Sequence, residues 1–172
     1  MAVLSGSEIK KLIKEKKVVI KPFNKNQIGA GSIDLHLGDT FRIFKNRSGT
    51  FDVNDNSDYK DITELLRIKK GENISIKPGE LIHGITIEDI RLPKGISARI
   101  EGRSRFARVG LLTHLSSGFM QPGTHGKIVL EIANLSPLTL AIKPGTAICQ
   151  IVLEEVRGDG VYKGRFSKQM RP

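Results

Sequence analysis

The spacing of apolar residues changes early in this chain and then settles. Between Ser7 and Lys14, Ile9, Leu12 and Ile13 fall on one face of a short amphipathic helix, with Ser7 as its expected N-cap. Val18-Val19-Ile20-Lys21 then reads as a strand, and from there the period is two. The segment Gly31-Ser32-Ile33-Asp34-Leu35-His36-Leu37-Gly38 alternates apolar and polar positions between glycines, the pattern of a half-buried strand. Asn46 to Lys60 is rich in Asn, Asp and Ser and reads as a mobile loop. Further strands are expected at Asn73–Ile76, Leu81–Ile87, Ser97–Glu101, Lys127–Ala133, Thr139–Ile142 and Ile148–Val156. Ile76-Lys77-Pro78-Gly79 and Ile142-Lys143-Pro144-Gly145 echo each other, and Pro-Gly favours a type II turn with glycine at positive φ. Many short strands with regular turns predict a mainly β fold, a sandwich, jelly roll or barrel. No domain boundary is visible, so residues 1–157 are expected to form one domain, followed by a Gly-rich, basic tail at 158–172.

Composition narrows the function. The 172 residues suffice for one domain with a real core, and 38% hydrophobic content fits a soluble protein. No apolar run approaches the roughly 18 residues of a membrane span, and Met1 to Glu8 lacks a signal-peptide layout, so a cytoplasmic location is expected. The formal net charge of +10 suits a polyanionic partner, nucleic acid or nucleotide triphosphate alike. Aromatics at 5% and no tryptophan leave no obvious stacking platform, which weighs against nucleic acid. Cys149, the single cysteine, lies in an apolar stretch and reads as a buried, inert thiol.

Two segments carry candidate chemistry. Glu101-Gly102-Arg103-Ser104-Arg105 follows a strand and leads through Phe106-Ala107 to Arg108. Its glycine permits a tight turn with backbone N–H groups facing an anion, and Arg103, Arg105 and Arg108 add charge-assisted donors for phosphate. Composition alone equally allows a basic surface turn. Glu131 sits in Ile128-Val129-Leu130-Glu131-Ile132-Ala133, where alternation puts it beside Val129 and Ala133 and opposite Ile128, Leu130 and Ile132. A partly desolvated carboxylate suits proton shuttling. A solvent-facing strand glutamate is the other reading. A zinc deaminase needs a His and two or three Cys in a defined spacing, and this chain has one Cys and no such pattern.

The order of these blocks is specific. Leu4 to Ile9, Gly31 to Gly38, Glu101 to Leu111, Pro122 to Glu131 and the tail Tyr162-Lys163-Gly164-Arg165-Phe166-Ser167-Lys168-Gln169 together resemble the dCTP deaminases of the dUTPase superfamily. The resemblance spans nearly the whole chain. It implies a dUTPase-like distorted β-barrel, a homotrimer with active sites between subunits, and zinc-independent deamination of dCTP to dUTP and ammonia. It implies that Glu131 is the general acid/base and that Ser104 and Arg108 position the attacking water. Arg103 and Arg105 would face phosphate, and Phe119 and Gln121 would line the substrate site. Tyr162, Arg165 and Gln169 would close the tail over the triphosphate, with magnesium carried by the nucleotide rather than by the protein.

Departures from the family pattern bear on the product. Gln121 stands where members usually carry an aspartate that helps activate water for diphosphate release, and an amide cannot take that proton. Deamination alone is therefore expected ahead of a bifunctional deaminase/dUTPase or plain dUTPase, and ahead of a non-catalytic nucleotide-binding homologue. Arg105 replaces a small hydroxyl residue, Arg165 a lysine and Phe166 a tyrosine. His36 stands where arginine is common and reads as structural.

Overall fold

A computed structural model describes residues 2–46, 48–164 and 168–172. In chain order the elements are α1 (Gly6–Lys14), β1 (Val19–Lys21), β2 (Ile33–His36), β3 (Thr40–Phe44), β4 (Thr63–Arg67), β5 (Ile74–Ile76), β6 (Leu81–Arg91) and β7 (Ile96–Gly102). After these come α2 (Ser104–Ala107), β8 (Leu111–Thr113), β9 (Phe119–Met120), β10 (His125–Asn134), β11 (Leu140–Ile142) and β12 (Ala147–Glu155). The chain is mainly β with antiparallel pairing, as its period-two pattern requires. One sheet runs β4-β3-β6-β10-β8, with β1 on the far end of β6. A second runs β2-β12-β7-β9, and β5 pairs with β11 alone. Among the described residues the three sheets do not close into a barrel.

The inward faces meet in one core. Leu35, Leu37, Phe41, Ile90, Leu130, Ile132, Ile148 and Ile151 are all fully buried within it. The alternation expected along β10 is present, with Ile128, Leu130 and Ile132 inward and Val129 and Glu131 only partly covered. The strands that lead into the two Pro-Gly turns pair with each other antiparallel, Ile76 with Leu140 and Ile74 with Ile142, so the turns lie at opposite ends of that pair. Gly79 and Gly145 both take positive φ, as expected of those turns. Ser5, not Ser7, caps α1, its hydroxyl accepting from the Glu8 N–H at the edge of hydrogen-bond range. Ser7 lies inside the helix and meets the Ser5 hydroxyl at 2.8 Å.

Pairing of β6 with β10 builds the centre of the larger sheet, and it contains a bulge. Lys127 opposes Asp89 and Val129 opposes Ile85, so Thr86, Ile87 and Glu88 share Ile128 as their facing residue. Buried Thr86 completes the hydrogen bonding there. Its hydroxyl accepts from the Ile128 N–H at 2.9 Å and donates to the Glu88 carbonyl at 2.9 Å. The Glu88 carboxylate, also buried, accepts from Gln27 Nε2 and the His36 N–H, both at 2.9 Å, and meets His36 Nδ1 at 2.6 Å. His36 is thus held in a structural cluster.

Thr86→Val keeps the side-chain shape but strips the Ile128 N–H of its partner inside the core. The expected loss is about 1–3 kcal/mol of stability by denaturant titration. A Thr86→Ser variant, which keeps the hydroxyl, is expected to lose less.

Candidate active site

Glu131 is placed by the register that follows the bulge. It stands directly opposite His83 of β6, and His83 in turn opposes Arg42 of β3, so three strands present Arg42, His83 and Glu131 in one row on one face. On the other side, the loop after β8 reaches back. The Ser116 N–H and hydroxyl both donate to Glu131 Oε2, at 3.1 and 3.2 Å, while the Glu131 N–H donates to His114 Nδ1 at 3.2 Å. Accepting at Nδ1 leaves the proton of neutral His114 on Nε2, which is buried and has no partner among the described residues.

His83 and Glu131 of this row form one wall of a cavity of about 450 Å³. Glu131, His83, His114 and Tyr59 line it with Phe119, Gln121, Lys127, Tyr162 and Gln169. Of the expected substrate residues, Phe119 is half exposed, and Gln121 sits on an exposed turn whose carbonyl accepts from Thr124. Tail residues return to this wall. The Tyr162 N–H donates to the Pro122 carbonyl and the Lys127 N–H donates to the Gln169 carbonyl, at 2.9 and 2.8 Å. Gly126 permits this approach, since a Cβ there would strike the Gln169 backbone and its φ of 137° disfavours any side chain. Arg165 lies outside the described residues.

The arginine turn lies elsewhere. Gly102 ends β7, and the segment after it is not only a turn but the short helix α2. Ser104, Arg105 and Arg108 are exposed on it, outside the cavity, and their side chains make no hydrogen bond or ion pair with other described residues. Arg103 points inward, its guanidinium 3.1 Å from Asp34 and donating to the Ala147 carbonyl at 2.9 Å. It fixes the turn to β2 and β12. Within one chain, Ser104 and Arg108 are therefore not brought to Glu131. Beside α2, Val109, Leu135 and Leu138 form exposed apolar surface, and the Leu135 N–H donates to the Gly110 carbonyl at 2.8 Å.

His83, His114, Ser116 and Tyr59 were not among the expected site residues. His83 interrupts an apolar strand, a visible signal, but its meeting with Glu131 depends on a register that no local pattern encodes. Burial pushes the Cys149 thiol well above its ordinary value, with Glu88 and Asp34 acting in the same direction, as suits an inert thiol.

Residues 3–156 match the family described as dCTP deaminase-like. The chain belongs to that family. A relative from Methanosphaera stadtmanae, named "dCTP deaminase, dUMP-forming", is 40% identical over 156 residues, covering 90% of this chain and 79% of its own. The dCTP deaminase-like chain is accordingly an enzyme, and its fold is dUTPase-like. The structure of 2'-deoxycytidine 5'-triphosphate deaminase from Agrobacterium tumefaciens superposes with a TM-score of 0.68 at 18% identity, over 90% of this chain. This chain spans about half of that one, 48%. A single-site mutant of the dUTPase from phage phi11 of S. aureus, a structure described as revealing coordination of a structural Mg(II) ion, matches at a TM-score of 0.52 and 13% identity. That match covers 86% of this chain and 96% of the phage protein.

Gly126→Ala is expected to displace Gln169 and the tail. In steady-state assays with nucleotide substrate this should raise KM about tenfold or more, with a smaller change in melting temperature. An unchanged KM would show that the tail does not close this cavity.

Proposed function

We propose that the chain hydrolyses dCTP at C4, releasing ammonia and forming dUTP without a zinc site. The observation that carries this reading is Glu131, a half-buried carboxylate on the cavity wall with one oxygen held by Ser116 and the other without a hydrogen bond among the described residues. Water attacks C4 as that second oxygen takes its proton; the same carboxyl then returns a proton so that the amino group leaves as ammonia. The Ser116 donors hold the carboxylate in place throughout. Among the described residues no three His, Cys, Asp or Glu side chains gather as a metal group. Magnesium would instead ride on the triphosphate oxygens, where it offsets phosphate charge.

The arginine turn completes this site from a second copy of the chain. Ser104 and Arg108 are exposed, unpartnered among the described residues and flanked by apolar Val109, Leu135 and Leu138. That combination suits a cyclic homo-oligomer in which the turn of one subunit faces Glu131 of the next, and a trimer is the form we expect. Residues 158–172 act as the closing tail, with Tyr162 and Gln169 on the cavity wall. A cytoplasmic location goes with this substrate.

A second reading has specific support. The Methanosphaera stadtmanae relative is named as dUMP-forming, which would place diphosphate release after deamination. Gln121 opposes it, since its amide cannot activate water.

Glu131→Gln should abolish ammonia release from dCTP while binding stays within about tenfold. Mixing that variant with inactive Arg108→Ala subunits should restore about one quarter of wild-type activity, the fraction of sites with both residues intact in a randomly mixed ring. No recovery would place both residues in one subunit's site. Resolving dUTP, dUMP and diphosphate decides the product, and Gln121→Asp is expected to increase diphosphate release from dUTP. If the wild type already makes dUMP, the second reading holds.

A further inference from the structure

The row that holds Glu131 contains a group with no role in the reading above. His83 faces Glu131 from the neighbouring strand and lines the same cavity. Its ring is fixed on two sides, edge-on to Phe44 at 5.7 Å and to Tyr59 at 5.6 Å between centroids. Arg42 flanks it from β3, its guanidinium 5.5 Å from the Tyr59 ring centroid, and is itself held by the Pro172 carbonyl at 2.9 Å and the Thr63 hydroxyl at 3.2 Å. His83 thus stands across the strands between an arginine and the candidate proton shuttle.

We propose that His83 is a positioning residue for the deamination, neutral when the enzyme works, and that protonating it stops Glu131 from acting as a base. This rests on the assignment of Glu131 as the proton shuttle. In the neutral state an imidazole beside the carboxylate adds no net charge and leaves the second oxygen able to collect a proton from water. In the protonated state His83 becomes a cation directly opposite Glu131, stabilises the carboxylate and weakens it as a base.

The surroundings favour the neutral state at ordinary pH. Burial holds His83 below the usual histidine value; Glu131 pulls it back up, and Arg42 pushes it down again. The ionisable groups facing it are Arg42 from β3, Glu131 from β10 and Tyr59 from the turn before β4, with His114 beyond Glu131. Activity should fall once the pH drops below the ordinary histidine range, because His83 takes up its proton there and becomes a cation opposite Glu131.

The test is ammonia release from dCTP by full-length enzyme between pH 5 and 8, on the order of ten points across the range. For His83→Gln, which keeps a polar side chain of similar length, kcat at pH 8 should fall about tenfold with KM within about threefold. Its acid limb should move to lower pH, because the cation that forms opposite Glu131 is gone. His83→Leu should show the same displacement. Arg42→Met should move the limb the other way, to higher pH, because removing a nearby cation makes His83 easier to protonate. Both His83 variants active with the wild-type acid limb would overturn the proposal, as would an Arg42→Met limb moved downward. Wild-type enzyme that releases no ammonia would instead overturn the deaminase reading itself.

Discussion

The antiparallel pairing of β6 with β10 is the constraint on which the rest of the molecule depends. It supplies core residues from both strands, including Ile82 and Ile90 on one and Leu130 and Ile132 on the other. It aims Glu131 into the cavity and supplies His83 as its neighbour. At its far end β10 begins with the turn that receives the tail at Pro122 and Lys127. A slip of one residue would turn the whole apolar set outward and Glu131 inward, so the buried isoleucines and leucines hold the Glu131 carboxylate in register as well as the fold.

Much of the fold was legible in local patterns. The helix, the strand after it, the Gly-bounded strand and the long β10 alternation appear where apolar periodicity put them. Strands β3, β4, β8 and β9 were not foreseen. Thr63-Glu64-Leu65-Leu66-Arg67 carries no clean alternation because it lies at a sheet edge with Glu64 and Leu65 exposed. Leu111–Thr113 and Phe119–Met120 are too short to show a period, and long-range pairing to β10 and β7 makes them strands.

The site was legible in parts, and the parts differ in kind. Glu131, Phe119, Gln121, Tyr162 and Gln169 do line one cavity. Arg103 is held by Asp34, far away in sequence, an ion pair that no local pattern displays. Ser104 and Arg108 are separated from Glu131 by the shape of the single chain, a fact no linear motif can display. Residues that touch Glu131 most directly, Ser116 and His114, reach it through a loop whose course is set by tertiary contacts. Motif reading nominates candidate residues; which surfaces must meet to assemble a site is a property of three dimensions.

The bulge at Ile128 separates two kinds of variation. On one side of it lies the turn through Gln121 and Gly126, exposed and in contact with the tail; on the other lies the stretch that carries Glu131. Because Thr86 bonds the backbone at the junction, the phase of everything after Ile128 is set there and not by the turn. Residues in the turn, Gln121 among them, are thereby free to change identity without rotating the Glu131 carboxylate. The strand works like a shaft with a keyed coupling: what lies on the substrate side of the key can be retooled while the working end keeps its orientation.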